Sequence, residues 1–215
     1  MNNRIFKSHL NLKYTNTNLE NKLTSFRGDI IKNITWKMNI ILLAFSLFSS
    51  VAYTSQINSK DAQFTMNALT SVSLTAIHIL FLILSLVFRS KIKLITIINY
   101  INYFLISFEI SLIRYFFVII LEETHDNLIY YLSYMCEFLI SALWVTHDMI
   151  YFIEVLIVNS LLVGTTFIIY IPSLIRYNSA YSSLVAFAML KCIVTIFAYI
   201  LTKEKKRLFY VIKQA

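Results

Sequence analysis

Residues 94–121 read LITIINYINYFLISFEISLIRYFFVIIL, a run of twenty-eight positions in which Glu109 and Arg114 are the only charges. A helix rises about 1.5 Å per residue, so roughly 20 apolar residues cross the ~30 Å hydrocarbon core of a bilayer. This stretch spans with length to spare for tilt or projection. The composition of the whole chain agrees: 58% of its 215 residues are hydrophobic, 14% are charged and the mean hydropathy is +0.69. Soluble domains carry about a quarter charged residues and leave much of their surface in water, so a soluble fold is excluded. Two glycines and one proline are too few to punctuate a turn-dense β-fold. The prediction is an all-α polytopic membrane protein.

Outward from that run, apolar segments at about 38–54, 65–88, 127–146, 149–171 and 182–202 complete a bundle of six transmembrane helices occupying 37–202. A polar loop, 55–64, separates the first two. Only His147 and Asp148 part the fourth from the fifth, a join short enough for two antiparallel helices. Lysine and arginine set the orientation. Seven lie before the first span, three at 89–93 and five after the sixth, against Lys60 and Arg176 in the alternate loops. By the positive-inside rule both termini face the cytoplasmic or equivalent inner side, and acidic Glu122, Glu123 and Asp126 fall outside. Tyr53, Tyr130, Tyr131, Tyr170, Tyr177 and Tyr181 map to an outer aromatic belt. Trp36, Tyr100, Trp144, Tyr151 and Tyr199 map to an inner one. Residues 38–55 have a signal-like apolar core, but a 37-residue polar leader is too long for an ordinary signal n-region. The sequon Asn33-Ile34-Thr35 lies on the inner side.

The tails extend this plan. Residues 1–17 are expected to be a disordered tail. Residues 18–36 form an amphipathic inner-face helix, with Asn18 placed as its cap, Glu20 in the first turn and Leu19, Leu23, Phe26, Ile30 and Ile34 as its stripe. It lies in the inner headgroup layer or packs on its own bundle. Residues 203–215, KEKKRLFYVIKQA, continue the sixth helix inward with Leu208, Val211, Ile212 and Ala215 along one side.

Six spans with both ends inside, followed by Lys206, Arg207, Leu208 and Phe209 on a charged helix, resemble the membrane anchor of protist nucleotide cyclases and multi-span sensor kinases. The resemblance covers architecture from Met38 to Ala215 and those four residues. It implies that the projecting helix couples the bundle to a catalytic domain, which this sequence does not contain, so the chain would be a fragment or a sensor stub of such a protein.

Six ionisable side chains fall within the spans: His78, Glu109, Arg114, Glu137, Glu154 and Lys191. Burying an Asp, Lys or Arg at mid-bilayer costs ~3 kcal/mol even on insertion scales, so they should face the bundle interior. Glu109 and Arg114 stand about 140° apart on one helix and cannot pair with each other. Lys191 is expected to find a carboxylate on another span, Glu137 or Glu109. Such a cluster either binds an ion and moves protons or simply fixes packing. Asn39, Asn99, Asn102 and Asn159 read as interhelical glue.

No Walker loop, dinucleotide turn, His-Glu-x-x-His or Gly-x-Ser-x-Gly motif is present, and Cys136 and Cys192 sit in apolar runs. No catalytic residue, cofactor or metal ligand is assigned. The formal charge of +8 gathers at span ends, so the bilayer and not nucleic acid is the expected partner, with a homodimer or membrane-complex contact through the C-terminal helix. The leading expectation is a non-enzymatic anchor and sensing region of a signalling protein. The alternatives are a small channel or transporter using the Glu/Lys cluster, or a structural subunit of a larger membrane complex.

Overall fold

The computed structural model describes residues 6, 12–14, 16–54, 62–120, 127–147, 150–174 and 178–214. Six helices occupy them: α1 (Thr17–Thr54), α2 (Ala62–Val87), α3 (Ile92–Ile120), α4 (Asn127–Thr146), α5 (Phe152–Leu174) and α6 (Asn178–Gln214). No strand occurs among the described residues, where a single bridge joins Phe6 and Tyr14. The chain is all-helical. Four helices are long and apolar enough to cross a membrane, within Thr17–Phe48, Ile92–Leu112, Phe152–Ile171 and Tyr181–Lys213, and α2 and α4 carry the shorter apolar stretches Ser71–Val87 and Ser133–Thr146. Expectations placed on the loop at 55–61, the acidic segment 122–126, Asp148, Arg176, Tyr177 and Ala215, and on the side chains of Tyr53, Tyr130 and Tyr131, lie outside the described residues.

Two helix starts differ from the sequence reading, each for a local reason. Asn16, not Asn18, caps α1: its Oδ1 accepts from the backbone N–H groups of Asn18 at 3.0 Å and Leu19 at 3.4 Å, satisfying donors that the first turn leaves orphaned. α5 begins at Phe152 and not at Met149. The Glu154 carboxylate reaches back to the Tyr151 N–H at 2.6 Å, as the third-position acid of a capping box does, and the Tyr151 carbonyl accepts the first helical bond, from Val155 N at 2.8 Å. A turn at 88–90, closed by Lys91 N to Phe88 O at 2.8 Å, separates α2 from α3.

The chain divides into two compact units, residues 31–109 and residues 1–30 with 110–215. In the second, α6 packs along α5 and α4 around Trp144, Val155, Leu162, Phe187 and Val194. In the first, Met38, Leu42, Leu74, Ile95, Ile98, Tyr103 and Ile106 are buried. Polarity is inverted relative to a soluble protein. Asn39, Asn99, Asn102, Glu109, Glu137 and Lys191 are buried, whereas Phe48, Ile168, Met189 and Ile196 are more than half exposed. That distribution suits hydrocarbon outside and polar bonding between helices inside.

Two belt residues are relocated by the same logic. Trp144 is fully buried and Tyr170 nearly so; large rings fill the helix interface, and the Tyr170 hydroxyl lies 3.4 Å from Ser183 Oγ. On α1 the buried line runs through Leu19, Leu23, Ile31 and Thr35, while Phe26 is turned outward and rests on Phe209 of α6 at 5.9 Å. The first residues are not a free tail throughout. Leu12 and Tyr14 are buried, and Tyr14 stacks on Phe6 at 5.7 Å.

Candidate functional site

Polar chemistry gathers in three places. In the unit of residues 1–30 and 110–215, Arg114 of α3, Glu137 of α4 and Lys191 of α6 form a buried triad. Arg114 Nη2 donates to Glu137 Oε2 at 2.6 Å and its Nε to Ser133 Oγ at 3.0 Å. Lys191 Nζ lies 2.5 Å from Glu137 Oε1. One carboxylate thus serves two cations, and the excess positive charge is met by aromatic faces, with the guanidinium 3.7 Å from the Tyr134 ring and Lys191 Nζ 5.4 Å from that of Phe187. Asn159 of α5 holds the adjacent turn of α6, donating to the Lys191 carbonyl at 3.3 Å and to Thr195 Oγ1 at 3.0 Å. Lys191 therefore pairs with Glu137, and Glu109 plays no part in the triad.

The second place is the end of the same unit where the leader, the first turns of α1, the start of α5 and the C-terminal end of α6 meet. Arg27 binds both Glu154 oxygens, with Nη1 at 2.9 Å and Nη2 at 2.5 Å, and lies over the Tyr151 ring at 4.0 Å. This bidentate fork partners Glu154 in the first turn of α5. Lys206 donates to the Leu12 carbonyl at 2.9 Å and to Glu20 Oε1 at 3.2 Å. Tyr14 ties the same helix by donating its hydroxyl to the Lys206 carbonyl, and its own N–H bonds Glu20 Oε2 at 3.0 Å. Tyr14, Leu19 and Leu23 make a small core against Phe209 and Tyr210. A cavity of about 340 Å³ lies among Glu20, Arg27, Tyr151, Glu154, Thr202 and Lys206.

Burial pushes the Lys206 ammonium below its ordinary 10.5, against the attraction of Glu20, and burial together with Glu20 pushes the Tyr14 phenol upward from 10.0. The consequences have opposite sign. As pH rises from the lowered Lys206 value to 10.5, the unfolded chain holds more protons at that lysine, so stability rises. Above 10.0 the folded chain retains the tyrosine proton that the unfolded chain releases, so stability falls. Thermal melts of the protein in nanodiscs should show both limbs, with Lys206→Met flattening the rise and Tyr14→Phe the fall.

The third place is a seam in the unit of residues 31–109. Asn99 Nδ2 donates to Thr35 Oγ1 at 3.0 Å, and Asn102 Nδ2 to Asn39 Oδ1 at 2.6 Å. Asn39 in turn donates to the Phe81 carbonyl of α2 at 3.3 Å, so one amide joins three helices. Further along, Ser46 Oγ faces both Glu109 oxygens at 3.4 and 3.2 Å, and His78 Nε2 lies 3.8 Å from Glu109 Oε2. Ser50 Oγ then meets Ser71 Oγ at 3.1 Å and Thr75 Oγ1 at 2.7 Å. Asn39→Leu should lower thermal stability by ~1–2 kcal/mol, the range of interhelical bonds in membranes; an unchanged melting temperature would demote the amide to a bystander.

No protein-family model, curated protein or solved structure matches this chain.

The six ionisable residues singled out from sequence thus fall into three groups: Arg114, Glu137 and Lys191 together, His78 with Glu109, and Glu154 at the end of α5. Among the described residues no three His, Cys, Asp or Glu side chains gather as a metal site. Sequence reasoning gives no site role to Tyr14, Glu20, Arg27 or Lys206. Each looks like a solvated tail residue, and only the large sequence separation of their bonds, 186 positions for Lys206 and Glu20, reveals the connection.

Proposed function

We propose that the chain is a non-enzymatic integral membrane protein of six spans with both termini on the inner side, and that it anchors and couples a signalling protein through the end of α6. The observation that carries this reading is the path of α6, which runs unbroken from Asn178 to Gln214 and is gripped by the leader at Lys206. A rigid helix that leaves the apolar core and is clamped where it emerges transmits rotation or translation, whereas a loose tail does not. Lys205 reinforces the grip by donating to the Thr146 carbonyl at the end of α4, where the helix dipole favours a cation. Beyond the clamp, Leu208, Val211 and Ile212 are each 60% exposed and offer a stripe for a second copy or a partner helix. Mutual pairing of Arg114, Glu137 and Lys191 supports a packing role for that triad over an open conduction path.

Cysteine crosslinking and spin labelling at Leu208 and Ile212 in membranes test the reading. Crosslinks between copies, with helical periodicity in mobility, are expected. Uniform high mobility through Gln214 would leave an ordinary frayed end and remove the output.

A further inference from the structure

Within the unit of residues 31–109, Glu109 is a buried carboxylate whose described partners are one serine hydroxyl and one imidazole. The Ser46 proton can point at only one of its two oxygens at a time. His78 is 1% exposed, and its Nε2 has no hydrogen-bond partner, facing Glu109 Oε2 across 3.8 Å. The lysines and arginines described in this unit, Lys32, Lys37, Arg89, Lys91 and Lys93, cluster toward the α2–α3 turn and the first half of its α1 segment, away from Glu109 along the helices. A bare carboxylate in such surroundings costs several kcal/mol. A single proton removes that cost: placed on Nε2 it makes an imidazolium–carboxylate pair whose 3.8 Å gap can close into a charge-assisted bond, and placed on the carboxylate it makes a neutral donor aimed at the imidazole.

We propose that Ser46, His78 and Glu109 form a proton-binding site, loaded through the hydroxyls of Ser50, Ser71 and Thr75. The uptake is a simple protonation: a hydronium ion of the bulk water gives up one proton, its O–H bond breaking as the N–H or O–H bond forms at the site, and water is left. The direction of access follows from spacing. Thr75 precedes His78 by three residues and Ser50 follows Ser46 by four, so each hydroxyl stands about one turn, ~5–6 Å, from the pair. These hydroxyls lie on the side of the α1–α2 connection. Toward the other side lie buried Ser107 and Tyr103 on α3, and beyond them Asn39 with Asn102, seven residues from Ser46 and Glu109 respectively, about 10 Å. The groups facing the pair are Ser46 from α1 and His78 from α2. Tyr103, six residues back on α3, is the next titratable side chain on that helix, while Arg114 is turned about a third of a circle or more away and bonded to Glu137.

The proposal concerns a different unit from the α6 clamp and stands whether or not α6 is an output. The test uses the full chain in proteoliposomes, with His9, His125 and His147 changed to Gln so that imidazole ¹⁵N signals report His78 alone. Over the pH range in which the proteoliposomes stay intact, a change in the His78 signals or the Glu109 carboxyl band should accompany the uptake of about one proton per chain. Glu109→Gln should abolish that uptake and Glu109→Asp retain it. If Glu109→Gln fails to fold, the wild-type spectra decide: signals of both groups that stay constant over the range overturn the site. A double change, Ser71→Ala with Thr75→Val, should slow loading about a hundredfold, the smaller end of what a positioned proton carrier contributes. Unchanged loading kinetics would overturn the path through these hydroxyls.

Discussion

Glu137→Gln is expected to cost more folded protein than any other single neutral substitution in the spans. Arg114 and Lys191 both rest on that one carboxylate, at 2.6 and 2.5 Å, and all three side chains are buried. Breaking a buried ion pair by removing one partner costs ~3–5 kcal/mol because the other charge is left in place; here two cations are stranded together. Lys191→Met should be milder, since Arg114 keeps its bonds to Glu137 and Ser133. Combining Lys191→Met with Glu137→Gln should not rescue, because Arg114 is then orphaned, and Glu109→Gln should have no bearing on it. Replacing all three with Met removes every stranded charge, and such replacements are often neutral or stabilising. Yield and melting temperature in detergent check the order: Glu137→Gln worst, the double next, Lys191→Met milder and the triple recovered. A triple variant as poor as Glu137→Gln would mean that the triad does more than hold helices together.

Reversing charge at Lys206 has the second largest expected effect. Lys206→Glu deletes the donors to Leu12 O and Glu20, sets a carboxylate against Glu20 and places it close to the Arg27–Glu154 fork. Glu20 is about a quarter exposed, so solvent softens the repulsion, and a loss of ~1–3 kcal/mol is expected from the broken bonds and the buried charge left without a donor. The change should be local. Protease sites in the leader become accessible, fluorescence from Tyr14 shifts, and crosslinks between Phe26 and Phe209 positions disappear while the spans stay folded. Lys206→Arg should keep most of the protection. If the leader of Lys206→Glu remains as resistant as in the parent protein, the clamp is not what holds it.

Helix content and the apolar exterior were legible because both are averages over many residues. A twenty-residue run of Ile, Leu and Phe tolerates errors at either end, and the inward placement of Glu109, Glu137 and Lys191 follows from the cost of charge in hydrocarbon alone. Helix starts were less legible, since Asn16 and Asn18 are chemically alike and only the bonds formed by Oδ1 separate them. Partner choice was legible where geometry forbade the alternative, as with Glu109 and Arg114 on one helix, and illegible where two carboxylates were equally suitable for Lys191. The leader is less legible because its polar composition hides two buried residues, Leu12 and Tyr14, held by Lys206 and, for Tyr14, by Phe209 and Tyr210, nearly two hundred residues away. Local propensity carries no record of such a contact.

The central claim, six spans with an inner clamp, is tested most directly by topology. Reporter fusions after Lys60, Lys91, His125 and Ala215 should read outside, inside, outside and inside, in keeping with the crowding of lysine and arginine on one side. An external reading after Ala215 would place Lys206 across the membrane from the leader that binds it, and would contradict both the six spans and the clamp.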